Sequence, residues 1–188
     1  MTIDLESFER LATSRRSSLL VDRERPVPDE LVERLCRLVF AAPNHKRTGP
    51  WRVAVFTGDG RRQLGEALGE DLLAAKPDVP EVKVDKTRSK YGRAPAVVAI
   101  GCRPDNDPIR HREDEAAVAA GIENLLLGAS AAGLAALWSS PPVLAAAQTC
   151  ALAGFDDGTE LLGLVYLGWP STAPPDTMRA EPVIAWVR

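Results

Sequence analysis

Arg15-Arg16-Ser17 stands just past a short amphipathic stretch near the start of the chain. Two guanidiniums and a hydroxyl in a row can hold a phosphate through charge-assisted, bidentate hydrogen bonds. The same arginines could instead only complement the negative end of the helix before them. Other chemistry-bearing patterns are missing. Gly58-Asp59-Gly60 sits between a strand-like and a helix-like segment, but Gln63 holds the place of the third glycine of a dinucleotide-binding turn, so an ordinary turn is expected. The chain has no G-x-S-x-G, Walker sequence, H-E-x-x-H or C-x-x-C, and no serine–histidine spacing suggests a triad. Cys36, Cys102 and Cys150 lie far apart, and the two histidines form no zinc site with them at any usual spacing. Buried thiols in a reducing compartment are expected, with no metal site.

The elements that must position these residues follow from periodicity and punctuation. Asp4 can cap a first helix with Leu5, Phe8, Leu11 and Ala12 on one face. A second begins at Pro28, followed by the acids Asp29 and Glu30, with Leu31, Leu35, Leu38 and Val39 as its stripe and Pro43 beyond its end. Residues 51–57 read as a strand, 61–75 as a helix, and the polar stretch 76–93 as a loop with room for one short helix. The unbroken apolar run at 95–101 predicts a strand covered on both faces. The longest helix is expected at 112–132, apolar nearly all round from Ala116, with Gly121 and Gly128 on one face where another backbone can approach. A strand at 134–139, a helix reaching about Leu152 and a strand at 161–168 complete the body. A proline-rich tail then leads to a strand-like end at 183–187. Helices alternating with strands predict an α+β fold with an α/β-type sheet covered by helices: a single domain over 1–170, then a tail over 171–188.

The chain's 188 residues, 45% hydrophobic and 26% charged, suit one such domain. The net charge of −3 leaves no basic footprint for nucleic acid. The nearest approach, Lys83, Lys86, Arg88, Lys90 and Arg93, reads as a solvated loop, with steering of an anionic cofactor as the alternative. The first residues lack the basic start and apolar run of a signal peptide, and no stretch reaches eighteen uninterrupted apolar residues, so a cytoplasmic protein is expected.

Taken in order, these landmarks resemble a known family. Arg15-Arg16-Ser17, the helix from Pro28, Ala42-Pro43-Asn44-His45-Lys46 and Pro50-Trp51 are similar to the opening of nitroreductase-family proteins. Glu113-Asp114 leading into Ile122-Glu123-Asn124, then Gly133-Leu134, Leu137-Trp138-Ser139 and Tyr166-Leu167-Gly168 with Pro170, continue the likeness over nearly the whole chain. The compact length and the His-Lys after Ala-Pro-Asn resemble the short YdjA-type branch.

The resemblance implies a nitroreductase-like fold with a central mixed sheet, its C-terminal strand exchanged onto the partner of a homodimer, and FMN at the subunit interface. Arg15, Arg16 and Ser17 would hold the phosphate and ribityl part. His45, reaching over from the other subunit, would line the flavin, and Trp138, Ser139 and Ser140 would meet its ring. It further implies NAD(P)H as electron donor and a nitroaromatic, quinone or similar electron-poor acceptor, reduced by ping-pong turnover without a catalytic constellation in the protein. A flavin-binding or flavin-storing protein without turnover is the alternative. Four residues depart from the family's pattern. Leu19 stands where many members carry a basic residue, Gly49 replaces a glutamine, and Ala41 and Ser139 occupy positions that can carry arginine. Fewer polar contacts to the ring predict a loosely held, exchangeable flavin.

Overall fold

The computed structural model describes residues 4–173 and 178–188. The opening residues 1–3 and the middle of the proline-rich tail, 174–177, lie outside them. Four strands, β1 (Trp51–Thr57), β2 (Ala96–Cys102), β3 (Ala135–Ser139) and β4 (Glu160–Gly168), form one sheet in the order β1-β2-β4-β3. All three ladders are antiparallel, and the sheet's mixed character is confined to a parallel bridge between Ser17 and Ala136.

β2 is buried at every position, as an apolar run with no alternation requires. Its Ala96, Val98, Ile100 and Cys102 face one core while Val97 and Ala99 face the other, the period of two expected of a strand between two layers. The first core is closed by α2 (Asp29–Val39) and α5 (Pro108–Ala131); the second receives Leu64 and Leu68 of α3 (Gly60–Ala75) and Tyr91. In α2 the buried residues are Val32, Leu35, Cys36 and Val39. The expected stripe is therefore rotated: Leu31 and Leu38 sit at its margin beside Gly128, and Leu38 stays partly exposed.

α5 starts four residues before the expected 112. Asp107 caps it, its carboxylate accepting the Ile109 N–H at 2.9 Å, and Pro108 occupies the first turn. Gly121 does bring another backbone close: a Cβ there would lie 2.5 Å from the Val39 carbonyl oxygen. At Gly128 the neighbour is a side chain, Leu38 Cδ1 at 2.4 Å.

The polar stretch 76–93 is mostly helical, with α4 (Glu81–Ser89) followed by a 3-10 turn (Lys90–Arg93). Its organiser is Arg88, which lies across Gly65 and Gly69 of α3 and pairs with Glu66 at 3.2 Å and Glu70 at 2.9 Å. Tyr91 is fully buried and stacks on Tyr166, while the Arg93 guanidinium lies over the Tyr166 ring. Arg88 and Arg93 thus hold this segment to the fold, while Lys83 and Lys86 are exposed on a helix in place of the expected solvated loop. α6 (Ala147–Ala153) is seeded from α3, whose buried Asp71 accepts the N–H groups of Gln148 and Thr149 and the Thr149 hydroxyl.

α1 (Leu5–Ser14) is capped by Asp4, which accepts the Ser7 N–H at 2.8 Å. None of its residues is buried: Leu11 and Ala12 are partly covered, but Leu5 is 71% and Phe8 49% exposed, so the start of its apolar face is uncovered among the described residues. Residues 183–187 form no strand within the chain, and Val183, Ile184, Trp186 and Val187 are exposed. A single extended segment with no adjoining sheet edge has no ladder to join.

Candidate flavin site

The loop after α1 is built against β3. Ser17 bridges to Ala136, and the Ser18 N–H donates to the Ala136 carbonyl at 2.9 Å. This places Arg15 and Arg16 at the rim of a cavity of about 170 Å³ between the end of α1, α5 and the start of β3, also lined by Ser18, Ser130 and Ala136. Arg15 leans toward α5, its Nε 3.3 Å from a Glu123 carboxylate oxygen, and that nitrogen is buried without a hydrogen-bond acceptor. Arg16 turns back and donates to the Thr13 and Arg15 carbonyls. Arg179, from the tail, adds bonds to the Ala12 and Arg15 carbonyls. Arg16 thus complements the helix end, as one reading of the pair expects, while both arginines line the cavity.

β3 carries the next residues outward along the same strip. Trp138, Ser139 and Ser140 follow Ala136 by two to four positions, roughly 7–13 Å along an extended chain. Trp138 is not a core residue. It is 39% exposed, its Nε1–H donating to the Leu162 carbonyl at 3.4 Å. It lies over Gly163, where a Cβ would come within 2.7 Å of Nε1; the glycine is what lets the indole lie down on the sheet. Ser139 Oγ donates to the Ser140 carbonyl at 3.3 Å.

His45 is exposed and belongs to a separate construction, a 3-10 turn (His45–Arg47). Lys46, Arg47 and Gly49 all have positive φ, at 59°, 55° and 64°, a region that costs most side chains energy. A polar network that the sequence reading missed holds it. Asn44 Nδ2 donates to buried Asp114 at 2.9 Å, Thr48 Oγ1 donates to the same carboxylate, and the Gly49 N–H donates to Asn44 Oδ1 at 3.0 Å. The signal was present, since Asn44 and Asp114 both lie in recognised motifs, but nothing local links them. The glycine at 49 also has a local cause: a glutamine there would have to adopt the left-handed conformation. Asp114 and Glu123 stand nine positions apart, about 13 Å along α5. Within one chain, His45 is thus held at one point along the helix and the Arg15 cavity at another. Of the remaining departures, Leu19 packs at the edge of the second core and Ala41 is exposed.

The three cysteines are free and buried. Burial pushes the Cys36 thiol up to about 11 and the Cys102 thiol up to about 12, and raises Cys150 as well. The upward shifts favour the protonated thiol near neutral pH, which makes all three poor nucleophiles.

Comparison with known proteins identifies the family and the fold. The family model described as the Nitroreductase family matches residues 12–169. YfhC of Bacillus subtilis, named as an NAD(P)H nitroreductase, is 27% identical over 85% of this chain and 82% of its own length. YdjA of Escherichia coli K12, named likewise, is 26% identical over 88% and 89%. The nitroreductase-like family protein of Bacillus cereus superposes with a TM-score of 0.79, at 25% identity, over 96% of this chain and 94% of its own. A nitroreductase of Bacteroides fragilis with bound FMN gives a TM-score of 0.76 at 18% identity, over 96% and 98%. With its Arg-Arg-Ser loop laid against β3 and a match running from residue 12 to residue 169, this chain belongs to the nitroreductase family.

Proposed function

We propose that the chain is an FMN-dependent oxidoreductase that passes electrons from NAD(P)H to nitroaromatics, quinones or similar electron-poor small molecules by alternate use of one site. The observation that carries this reading is the cavity lined by Arg15, Arg16 and Ser18 beside a loop pinned to β3, where the buried Arg15 Nε makes no hydrogen bond and is balanced only by the Glu123 carboxylate at 3.3 Å. A phosphate matches that pair of guanidiniums in charge. Ser17 and the strip Trp138-Ser139-Ser140 would then receive the ribityl chain and the ring, the exposed indole offering an apolar face. Bound FMN would supply the hydride-transfer chemistry between donor and acceptor. The protein's part is to anchor the phosphate, orient the ring and shape one stacking place that donor and acceptor occupy in turn.

The decisive experiment is to reconstitute the purified protein with FMN and add NADPH without oxygen. Bleaching of the flavin colour and its return on adding a quinone is the expected result. Bound flavin that NADPH never reduces would leave a flavin-storing protein in place of an enzyme.

The working unit in this reading is a homodimer, with His45 of one subunit lining the flavin of the other and the C-terminal segment 183–187 added as a strand to the partner's sheet. The uncovered apolar face of α1 and the exposed Val183, Ile184, Trp186 and Val187 support it, because a single chain leaves them all in water. Obligate interfaces of this kind bury on the order of 2,000 Å² or more. Sedimentation equilibrium should give a dimer at micromolar concentration, and a stable, flavin-loaded monomer would refute it. No helix among the described residues is long and apolar enough to cross a membrane; with three free thiols, a cytoplasmic setting is the one proposed.

A further inference from the structure

His111 and Glu115 lie one turn apart on α5, and Glu160 opens β4 beside them. One potential ligand atom from each lies within 4.8 Å of the other two. His111 Nε2 is 3.3 Å from Glu160 Oε2. That is long for a charge-assisted hydrogen bond, but it matches the edge of a tetrahedron around a zinc ion, about 3.4 Å for bonds of roughly 2.1 Å. Among the described residues no lysine or arginine pairs with Glu115 or Glu160, although the neighbouring Arg110 and Arg103 are engaged, with Asp105 and the Thr48 carbonyl respectively. Two half-buried carboxylates therefore share a small volume with one imidazole and no fixed cation. The flavin reading uses none of the three.

We propose that His111, Glu115 and Glu160 bind one first-row divalent cation of the zinc type, with water completing its shell. One nitrogen and two carboxylate oxygens suit such an ion, whereas magnesium and calcium prefer oxygen alone. The partial exposure of Glu160, 37% at its side chain, leaves a way in. The pairing escapes a spacing rule because Glu160 stands forty-five positions after Glu115 and is brought in by the β2–β4 ladder. The ion would tie the first turns of α5 to the start of β4, next to the Asp114 that holds the His45 turn.

The test is a calorimetric titration of the full, flavin-reconstituted chain with Zn²⁺ after removal of adventitious metal, repeated on His111→Gln and Glu115→Gln. One equivalent should bind, and each variant should lose more than about tenfold in affinity. At a hundredfold excess over Kd, zinc should raise the wild-type Tm by roughly 5–10 °C. Co²⁺ in place of zinc should show ligand-field bands without the thiolate charge-transfer absorption that Cys102 or Cys150 would give. Should His111→Gln not fold, Glu115→Gln carries the test, since its half-exposed side chain makes no hydrogen bond or ion pair to lose. No binding, affinity unchanged in the folded variant, a thiolate band, or equal displacement by Mg²⁺ would each overturn the assignment.

Discussion

Replacing both Arg15 and Ser17 by alanine should weaken FMN binding by about a hundred- to a thousandfold while the protein remains folded. A hydrogen bond to a charged group contributes about 1.5–3 kcal/mol and a neutral one about 0.5–1.5, and each tenfold of affinity corresponds to about 1.4 kcal/mol. The fold has little at stake in either side chain. Ser17 is exposed and meets Ala136 through its backbone, and the Arg15–Glu123 pair is partly solvated, with Glu123 47% exposed at its side chain. The wild-type baseline matters here. On the family resemblance, Leu19, Ala41, Gly49 and Ser139 would leave the ring with fewer donors, so the purified protein should be pale, below one flavin per chain and restored by added FMN. Fluorescence titration of wild type and variant against FMN, with circular dichroism as the control for folding, decides the matter. Equal affinity in a well-folded double variant would remove these residues from the site.

The largest effect on stability should come from Gly121→Ala. The added Cβ would meet the Val39 carbonyl at 2.5 Å, Val39 Cγ1 at 2.9 Å and Trp51 Nε1 at 3.2 Å, and a helix backbone cannot swing aside as a side chain can. Alanine returns about 1 kcal/mol of helix propensity. The net cost of forcing α2 off α5 should still be about 2–3 kcal/mol, a fall in Tm of about 4–12 °C. Gly128→Ala is the built-in comparison. Its obstacles are side-chain tips, Leu38 Cδ1 at 2.4 Å on a side chain 37% exposed and Leu35 Cδ2 at 3.0 Å, which can give where a backbone cannot, so that variant should lie within about 1 kcal/mol of wild type. Thermal melts of the two proteins test the difference, and equal destabilisation would mean that the close approach of α2 to α5 is not what Gly121 serves.

How far each feature could be read from the sequence depended on how local its cause was. The apolar run of β2 has no polar position, and only a strand buried on both faces tolerates that, so its environment was legible residue by residue. Gly121 was legible for the same reason, a small residue on an otherwise apolar helix. The start of α5 was missed although its cap, Asp107-Pro108, is a local signal that the acidic run at Glu113 overshadowed. α4 was undervalued because its sequence is almost wholly polar. Its place is fixed by Arg88 reaching two acids on α3 and by Tyr91 meeting Tyr166, contacts invisible before the chain has folded. The site divides in the same way. Arg15, Arg16 and Ser17 are contiguous and announce themselves, whereas the network behind His45 joins residues about seventy positions apart.

The three protonated, buried thiols have a practical consequence. Cys36 sits in α2, Cys102 in the central strand and Cys150 in α6, so each marks a different layer of the molecule. A thiol that is both covered and held in its unreactive form is alkylated only when its surroundings open. The native sequence thus carries three built-in clocks for local unfolding, one per layer, readable by mass spectrometry without adding a probe.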